Sequence, residues 1–546
     1  MTGMPSVHSF GGRASILGCI LVAPFLQFVM RGGYSPFRPE VLALSLVLAL
    51  ACLAIAWVCR GRAFYAASWI LIVLSAAGAV QGLLYPGLDV RLRWIALAVG
   101  LAVLVPMYCM RATFFRLLAT FALGSFAVSA TQFLAARVHP TEALAQESRP
   151  PGLGHIVYLI LDEHIGLAGL RSEIPECRRA RNQLEDVLTS HGFKVYPNAF
   201  SNYADTLDSI PSILSFELET RRRQFARRDS LSGRRVTQNA LFERWRLQGY
   251  AIAAYESDYL DLCATETECA TTTRYPANAI SAMEPLPIPW TRKAGYLASG
   301  YLLSNAFVWG IAYHSAPRLL HLADWRTGPL AVAGIWPERL LQDILHARRK
   351  TAFFVHLLTP HKPYVYQRDG TLRDDREWID GRKWEVADRA AYERQYTRYA
   401  EQVEYLGTQL DEFLRQLRAD PVYDASLIVI HGDHGSRLLE RPPGNVNGYS
   451  GTGEDPGAAY GAGTPPAADL IDAFSTLLAI KAPRKAEGRV DRRCASVMQV
   501  MAETFDPRGW EAQPGAASDV YLFDAQGKPR AISMAQACRE MEGRSK

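Results

Sequence analysis

Five apolar runs crowd the first 136 residues of this chain: 14–30, 41–59, 64–85, 94–110 and 113–136. A helix needs roughly 20 mostly apolar residues to cross a bilayer, and each run approaches or exceeds that length. None contains Asp or Glu, and Arg116 lies near the start of the last. One such run can be the buried helix of a soluble core. Five in succession read as five transmembrane helices. The first is read as a retained span rather than a cleaved leader, because no small-residue cleavage site follows it and more apolar runs do. With the N-terminus inside, the inner loops hold Arg13, Arg60, Arg62, Arg111 and Arg116 without an acid. The outer loops hold Arg31, Arg38, Arg91 and Arg93 beside Glu40 and Asp89. This slight bias follows the positive-inside rule. An odd number of spans then puts everything after residue 136 on the extracytoplasmic side of a cell membrane.

The division expected is a helical membrane domain over 1–136, a linker over 137–154 and an extracytoplasmic domain over 155–546. The linker, RVHPTEALAQESRPPGLG, is polar, broken by Pro and Gly, and without periodicity. A net charge of +5 over 546 residues is small and argues against a nucleic-acid partner. Cys19, Cys52, Cys59 and Cys109 sit in or beside apolar runs and read as packing residues. Cys263 and Cys269, six apart in LCATETEC, are close enough to bridge in an oxidising compartment.

Beyond the linker, apolar strands alternate with helical patterns. The strand at 155–161, HIVYLIL, stops at Asp162-Glu163, and the strand at 352–358, AFFVHLL, carries His356 and leads to His361. Another at 427–430 ends in Asp433-His434 flanked by glycines. Short strands are also expected at 193–196 and 250–255. Residues 390–419 carry Tyr396, Tyr399, Val403, Leu406, Leu410, Phe413 and Leu417 at spacings of three and four, one apolar helix face. Strand, helix, strand in this order predicts an α/β domain with a central, mostly parallel sheet. Residues 467–480 read as a helix, 519–532 as a hairpin with its turn at 527–529, and 440–466 as a long loop rich in Gly and Pro. The arginine-rich stretch 221–235 reads as a solvated helix face and loop, with contact to anionic lipid headgroups as the functional alternative.

Each strand end alone is most simply a strand followed by a solvated turn. Together they form a set. Ligands in α/β sheets bind beyond the carboxyl ends of the strands, and Asp with His offers oxygen and nitrogen to one divalent metal. Thr206 stands where a loop becomes a helix, in TLDSIPSIL. A hydroxyl there is usually a cap. It is also where free N–H groups and the helix dipole favour a phosphate. A metal held by Asp162, Asp433 and His434 would lower the threonine's pKa and turn a poor nucleophile into a working one.

This order of motifs resembles the alkaline phosphatase and sulfatase superfamily. It is most similar to the membrane-anchored branch that contains lipoteichoic acid synthase and the lipid A phosphoethanolamine transferases. The residues that carry the resemblance are LILDE, TLDSIPSIL, HLLTPHKPY and GDHG, within 155–480, together with the five-span anchor. It implies Thr206 as nucleophile and Asp162, Asp433 and His434 as ligands of a divalent metal that the Thr206 oxygen joins. Glu163 stands where sulfatases place a second carboxylate, so it is a further candidate ligand. His361, and less directly His356, would lie at the substrate phosphate. The metal is Zn or Mn ahead of Mg or Ca: carboxylates suit Mn or Mg, imidazole suits Zn. The Cys- or Ser-based C/S-x-P-x-R signature of sulfate ester hydrolysis is absent, since Leu207 follows Thr206 and no Arg comes four residues on. The expected activity is therefore transfer of phosphoethanolamine or phosphoglycerol from a membrane phospholipid donor to a glycan or glycolipid acceptor. The rivals are a metal-dependent phosphodiesterase or sulfatase-like hydrolase using water, and a non-catalytic binding protein.

Overall fold

The computed structural model describes residues 9–72, scattered residues over 98–131, then 152–218, much of 225–304, 338–438 apart from most of 375–388, and 465–544 apart from 485–486, 506–517 and 524–528. The described residues fall into two compact units. The first comprises Met1–Ala145 with Asp229–Leu231 and Asn278–Leu330, and the second the remainder.

In the first unit, α1 (Phe10–Arg31) and α2 (Pro39–Val58) pack together across a short turn. Ser9 caps α1 by accepting from the Gly12 N–H, and Pro39 opens α2 with a φ already suited to a helix. Leu17, Ile20, Cys52 and Ala56 form the buried seam between them. Leu46, Val47, Leu50, Leu53 and Trp57 of α2 face outward and exposed, an arrangement suited to a lipid surround. Among the described residues these two helices are long and apolar enough to cross a membrane. The shorter apolar helix Arg62–Ile72 covers the start of the third run. The rest of that run, and much of the last two, lie outside the described residues.

The second unit is built on an eight-stranded sheet. In chain order its strands are β1 (Ile156–Leu161), β2 (Lys194–Val195), β3 (Ala251–Ser257), β4 (Thr271–Tyr275), β5 (Thr351–Leu357), β6 (Leu427–Gly432), β7 (Leu478–Lys481) and β8 (Arg489–Val490). Across the sheet they run β8-β2-β7-β6-β1-β5-β3-β4. Every pairing is parallel except those of β7, which is antiparallel to both β6 and β2. The α/β expectation thus holds for this unit.

β1 is central and buried along its whole length. Its side chains alternate, as a strand's must. Val157, Leu159 and Leu161 join one core with α3 (Pro175–Ser190) and the apolar face of α6 (Arg389–Arg418). Ile156, Tyr158 and Ile160 join the other, with Ile210, Ile213 and Leu214 of α4 (Thr206–Ser215) and with Trp245 and Phe354. Helices on both faces are what a parallel sheet requires. Each fully buried Leu or Ile contributes about 1.5–3 kcal/mol. The first unit also holds α5 (Trp290–Ser304), and the second holds α7 (Ala467–Phe474).

Two sequence expectations are corrected. The helix expected over 467–480 stops at Phe474, and Leu478–Lys481 becomes β7. Its residues pair with both β6 and β2, so ladder hydrogen bonds outweigh a short helical pattern. In the arginine-rich stretch, Phe225–Arg227 and Arg234–Val236 are antiparallel strands rather than a helix face. The expected hairpin is present as Asp519–Phe523 paired with Pro529–Ser533, its turn lying largely outside the described residues. The Cys263–Cys269 disulfide is formed, and a second, Cys494–Cys538, closes a separation of 44 residues.

Candidate active site

Three adjacent parallel strands, β5, β1 and β6, end side by side. Asp162 follows β1 and is anchored by its own N–H, which donates to Leu357 O at 2.9 Å. Asp433 and His434 follow β6, whose Gly432 pairs with Leu161. The glycines around them are there for space. A Cβ on Gly432 would stand 2.4 Å from His164 O, and one on Gly435 would stand 2.1 Å from Asp472 O. The GDHG motif is therefore as much about packing as about ligation.

α4 brings the hydroxyl. Asp205, not Thr206, is the cap: its carboxylate accepts from the Leu207 N–H at 2.9 Å. Thr206 is left free to turn its oxygen into the strand ends. Thr206 Oγ1 lies 2.7 Å from Asp433 Oδ2, 3.2 Å from His434 Nε2 and 3.5 Å from Asp162 Oδ1. Ser209, one turn on, donates to Asp433 O at 2.5 Å and fixes helix to strand.

Asp162, Asp433 and His434 are all buried, and one ligand atom from each lies within 4.8 Å of the others. His434 Nδ1 is 2.9 Å from Gly435 O. A proton held there leaves the Nε2 lone pair facing the carboxylates, the tautomer a metal requires. Burial pushes the Asp162 carboxyl well above its usual range, and the negative charge of Asp433 adds to this. Burial also pushes Asp433 up, but His434, His356, the Thr206 hydroxyl and the Glu163 N–H outweigh it and hold the group low. Two buried carboxylates facing one another with an imidazole and a hydroxyl between them fit a divalent cation.

Glu163 is placed differently from its neighbour. It has a φ of 59°, in the left-handed region. Its N–H donates to Asp433 Oδ1 at 3.0 Å. Its carboxylate meets Arg437, with His361 Nε2 at 3.5 Å and Lys362 Nζ at 3.7 Å. Burial would raise its pKa, but His361, Lys362 and Arg437 carry it well below the carboxylate range. The structure thus gives Glu163 a cationic surround. His356, within β5, sits 3.7 Å from Asp162 Oδ2, with neither ring nitrogen in a hydrogen bond. Burial pushes its pKa down to about 4, so it is neutral. His361 reaches the same rim from the loop after β5, and burial lowers its pKa also.

Several contributors escape a sequence reading. Arg437 also has a left-handed backbone, with φ 53°, and besides Glu163 it approaches Asp205 Oδ2 at 3.9 Å. Tyr399 donates its hydroxyl to Glu163 O and accepts from Ile165 N–H, each at 2.9 Å. Gln402 donates to Pro360 O at 3.0 Å and His361 O at 3.2 Å, holding the histidine loop. Both sit on α6, whose regular pattern is the one signal that the helix packs beside the site.

The model of the sulfatase family matches residues 178–474, more than half of the chain. No curated protein matches. Among solved structures, the C-terminal periplasmic domain of EcEptC from Escherichia coli is 14% identical with a TM-score of 0.41, covering 71% of this chain and 94% of that one. Phosphonate monoester hydrolase of Agrobacterium radiobacter is 11% identical with a TM-score of 0.38, covering 71% and 90%. The putative sulfatase yidJ from Bacteroides fragilis is 12% identical with a TM-score of 0.38, covering 70% and 83%. The matched span runs from α3 through α7, and so takes in Thr206, the histidine loop and the Asp433-His434 pair: the chain belongs to the sulfatase family.

Proposed function

We propose that this protein is a membrane-anchored phosphotransferase that moves a phosphoryl-linked headgroup, phosphoethanolamine or phosphoglycerol, from a phospholipid to a surface glycan or glycolipid. The observation that carries the covalent step of this reading is the Thr206 oxygen, held within 3.5 Å of Asp433, His434 and Asp162 at the end of three parallel strands. A structural cap would face its own helix; here Asp205 does the capping and Thr206 faces the carboxylates.

Asp162, Asp433 and His434 would hold one divalent metal, Zn or Mn by the donor set. When bound, it supplies positive charge beside the Thr206 oxygen and the substrate phosphoryl. Thr206 Oγ forms a bond to the donor phosphorus, and the bond from phosphorus to the diacylglycerol oxygen breaks. The threonine proton is directed at Asp433 Oδ2, and diacylglycerol leaves with one proton. His361, on the rim beside Glu163, is the group placed to supply it. An acceptor hydroxyl then bonds to phosphorus and gives its proton to His361, the Thr206–phosphorus bond breaks, and the Thr206 oxygen takes back the proton held at Asp433 Oδ2.

Five spans, with residues 137–546 outside the cytoplasm, complete the proposal. They are supported by the five apolar runs and by the two described spanning helices. Denaturing quench of the purified protein with headgroup-labelled phospholipid tests the covalent step. Label is expected on the peptide containing Thr206 and not in Thr206→Ala. Turnover in Thr206→Ala at the wild-type rate, or no adduct in the wild type while diacylglycerol is released, would contradict it. The expected loss in Thr206→Ala is on the order of 10³-fold or more.

A further inference from the structure

Residues Asn278–Leu330 lie within the catalytic part of the sequence, yet they belong with Met1–Ala145 to the first compact unit. Their described helix, α5, packs on α1 and α2. We propose that α5 is a membrane-embedded element: it enters the bilayer beside α1, from the side on which the catalytic region emerges, and its outer face contacts phospholipid acyl chains.

The contacts run down α5 in order. At the turn joining α1 to α2, Glu284 accepts from Ser35 N–H at 3.0 Å and from Arg38 Nε at 2.9 Å. Lys293, in the first turn of α5, donates to Glu284 O at 2.8 Å. Next comes Leu297, with no solvent exposure. Then the Tyr301 ring meets Phe25 edge-on at 5.5 Å and Phe28 at 5.7 Å. Residues four apart share one helix face, so 293, 297 and 301 are one stripe on the side of α5 that faces the α1–α2 pair. Lys293 to Tyr301 is about 12 Å of helix at about 1.5 Å per residue, and Phe25 is about 9 Å inward from Arg31. α5 therefore runs antiparallel to α1, from the turn toward the middle of the span. Half of a hydrocarbon core is about 15 Å, so a helix at this depth beside a spanning helix is within the acyl-chain layer.

Composition agrees with that placement. Residues 294–304, AGYLASGYLLS, contain no charge, and the charges Arg292 and Lys293 stand at the entry end. Trp290, 51% exposed, sits at that same end. Basic stems and an indole at the boundary, with an uncharged helix beyond, are the pattern of an interface anchor.

The Glu284 contacts carry a second consequence. The turn after α1 and residue 284 must share one side of the membrane. The chain between them then crosses an even number of times, and with α1 the total is odd, as five runs would give.

The test uses the unaltered protein in phosphatidylethanolamine and phosphatidylglycerol vesicles that include a phospholipid with a photoreactive diazirine in mid-chain. After photolysis, adducts are expected within 294–304 as well as on α1 and α2. Adducts on α1 and α2 but none within 294–304 would overturn the inference while leaving the anchor standing. Absence from all three would overturn both. No turnover is measured, so the result does not depend on the headgroup-transfer reading. A second measurement uses Gly295→Cys, where a side chain meets nothing within 4 Å, in a background with the five free cysteines replaced by alanine. A nitroxide there should relax more with oxygen than with a water-soluble nickel chelate. The reverse order, as expected for exposed Glu412→Cys on α6, would overturn the proposal.

Discussion

Arg437 and Glu163 are separated by 274 residues and meet in a buried pair. Glu163 has no exposed side-chain surface and Arg437 has 10%. Removing one partner of such a pair leaves an uncompensated buried charge, which costs about 3–5 kcal/mol. His361 and Lys362 remain beside Glu163, so Arg437→Met is expected to lower stability by less than that. Glu163→Gln in the same chain should restore a large part, because the orphaned charge is gone. A thermal or denaturant midpoint on the two single variants and the double variant measures this, and purely additive losses would contradict it. Nothing local in the sequence announces the pair. It depends on two left-handed residues, Glu163 and Arg437, whose backbones turn their side chains toward each other. Asp162, Asp433, His434 and Thr206 were legible because each ends a strand or begins a helix, and element ends can be read from pattern. The same logic placed Glu163 beside Asp162 as a candidate ligand, and the backbone turn at Glu163 is what sends its carboxylate to Arg437. A related expectation concerns the buried carboxylates themselves. Chelation should lower the thermal midpoint of the wild type, since Asp162 and Asp433 then face each other without a cation. Asp162→Asn should show a much smaller shift on chelation; an equal shift would move the metal away from these residues.

Among elements, β7 shows most clearly where sequence pattern gives out. Periodicity continues past Phe474, but the backbone leaves the helix because β6 and β2 both present open edges to Leu478–Lys481. That edge is a tertiary fact, absent from any local window. The parallel strands β1, β5 and β6 were legible for the opposite reason: they are buried on both faces, so their apolar runs are continuous. β7 also carries Lys481 into the interior, where it donates to Ser426 O at 3.2 Å and to Tyr423 O. Burial pushes its ammonium pKa down to about 8 from 10.5. Below about pH 8 both folded and unfolded chains hold the proton, and this group contributes no pH slope. Between about pH 8 and about pH 10.5 the unfolded chain keeps a proton that the folded one has lost, so its contribution makes stability rise with pH. Wild type is thus expected to gain stability relative to Lys481→Met over that window. Parallel pH profiles for the two would contradict the assignment. Cys494→Ala should cost about 2–4 kcal/mol by opening the link to Cys538. A midpoint unchanged under oxidising conditions would show that the bridge does not constrain the fold.

At the scale of the whole molecule, the chemistry at Thr206 is shared by a transferase and a hydrolase, so the site alone does not separate them. The anchor does contribute. A hydrolase of soluble esters needs one tether, whereas a donor lodged in the bilayer must have its headgroup phosphate presented at the membrane surface. The N-terminal apolar helices and the embedded helix proposed for α5 would serve that purpose. In the proposed transfer, the Thr206 adduct must outlast the departure of diacylglycerol, which requires that water be kept out until an acceptor arrives. The measurement that decides is to supply headgroup-labelled phospholipid to the purified protein in liposomes, with and without envelope extract. The account predicts diacylglycerol release and transfer of the label to a glycan or glycolipid of the extract. Free phospho-headgroup as the only labelled product, unchanged by the extract, would contradict it and leave a hydrolase.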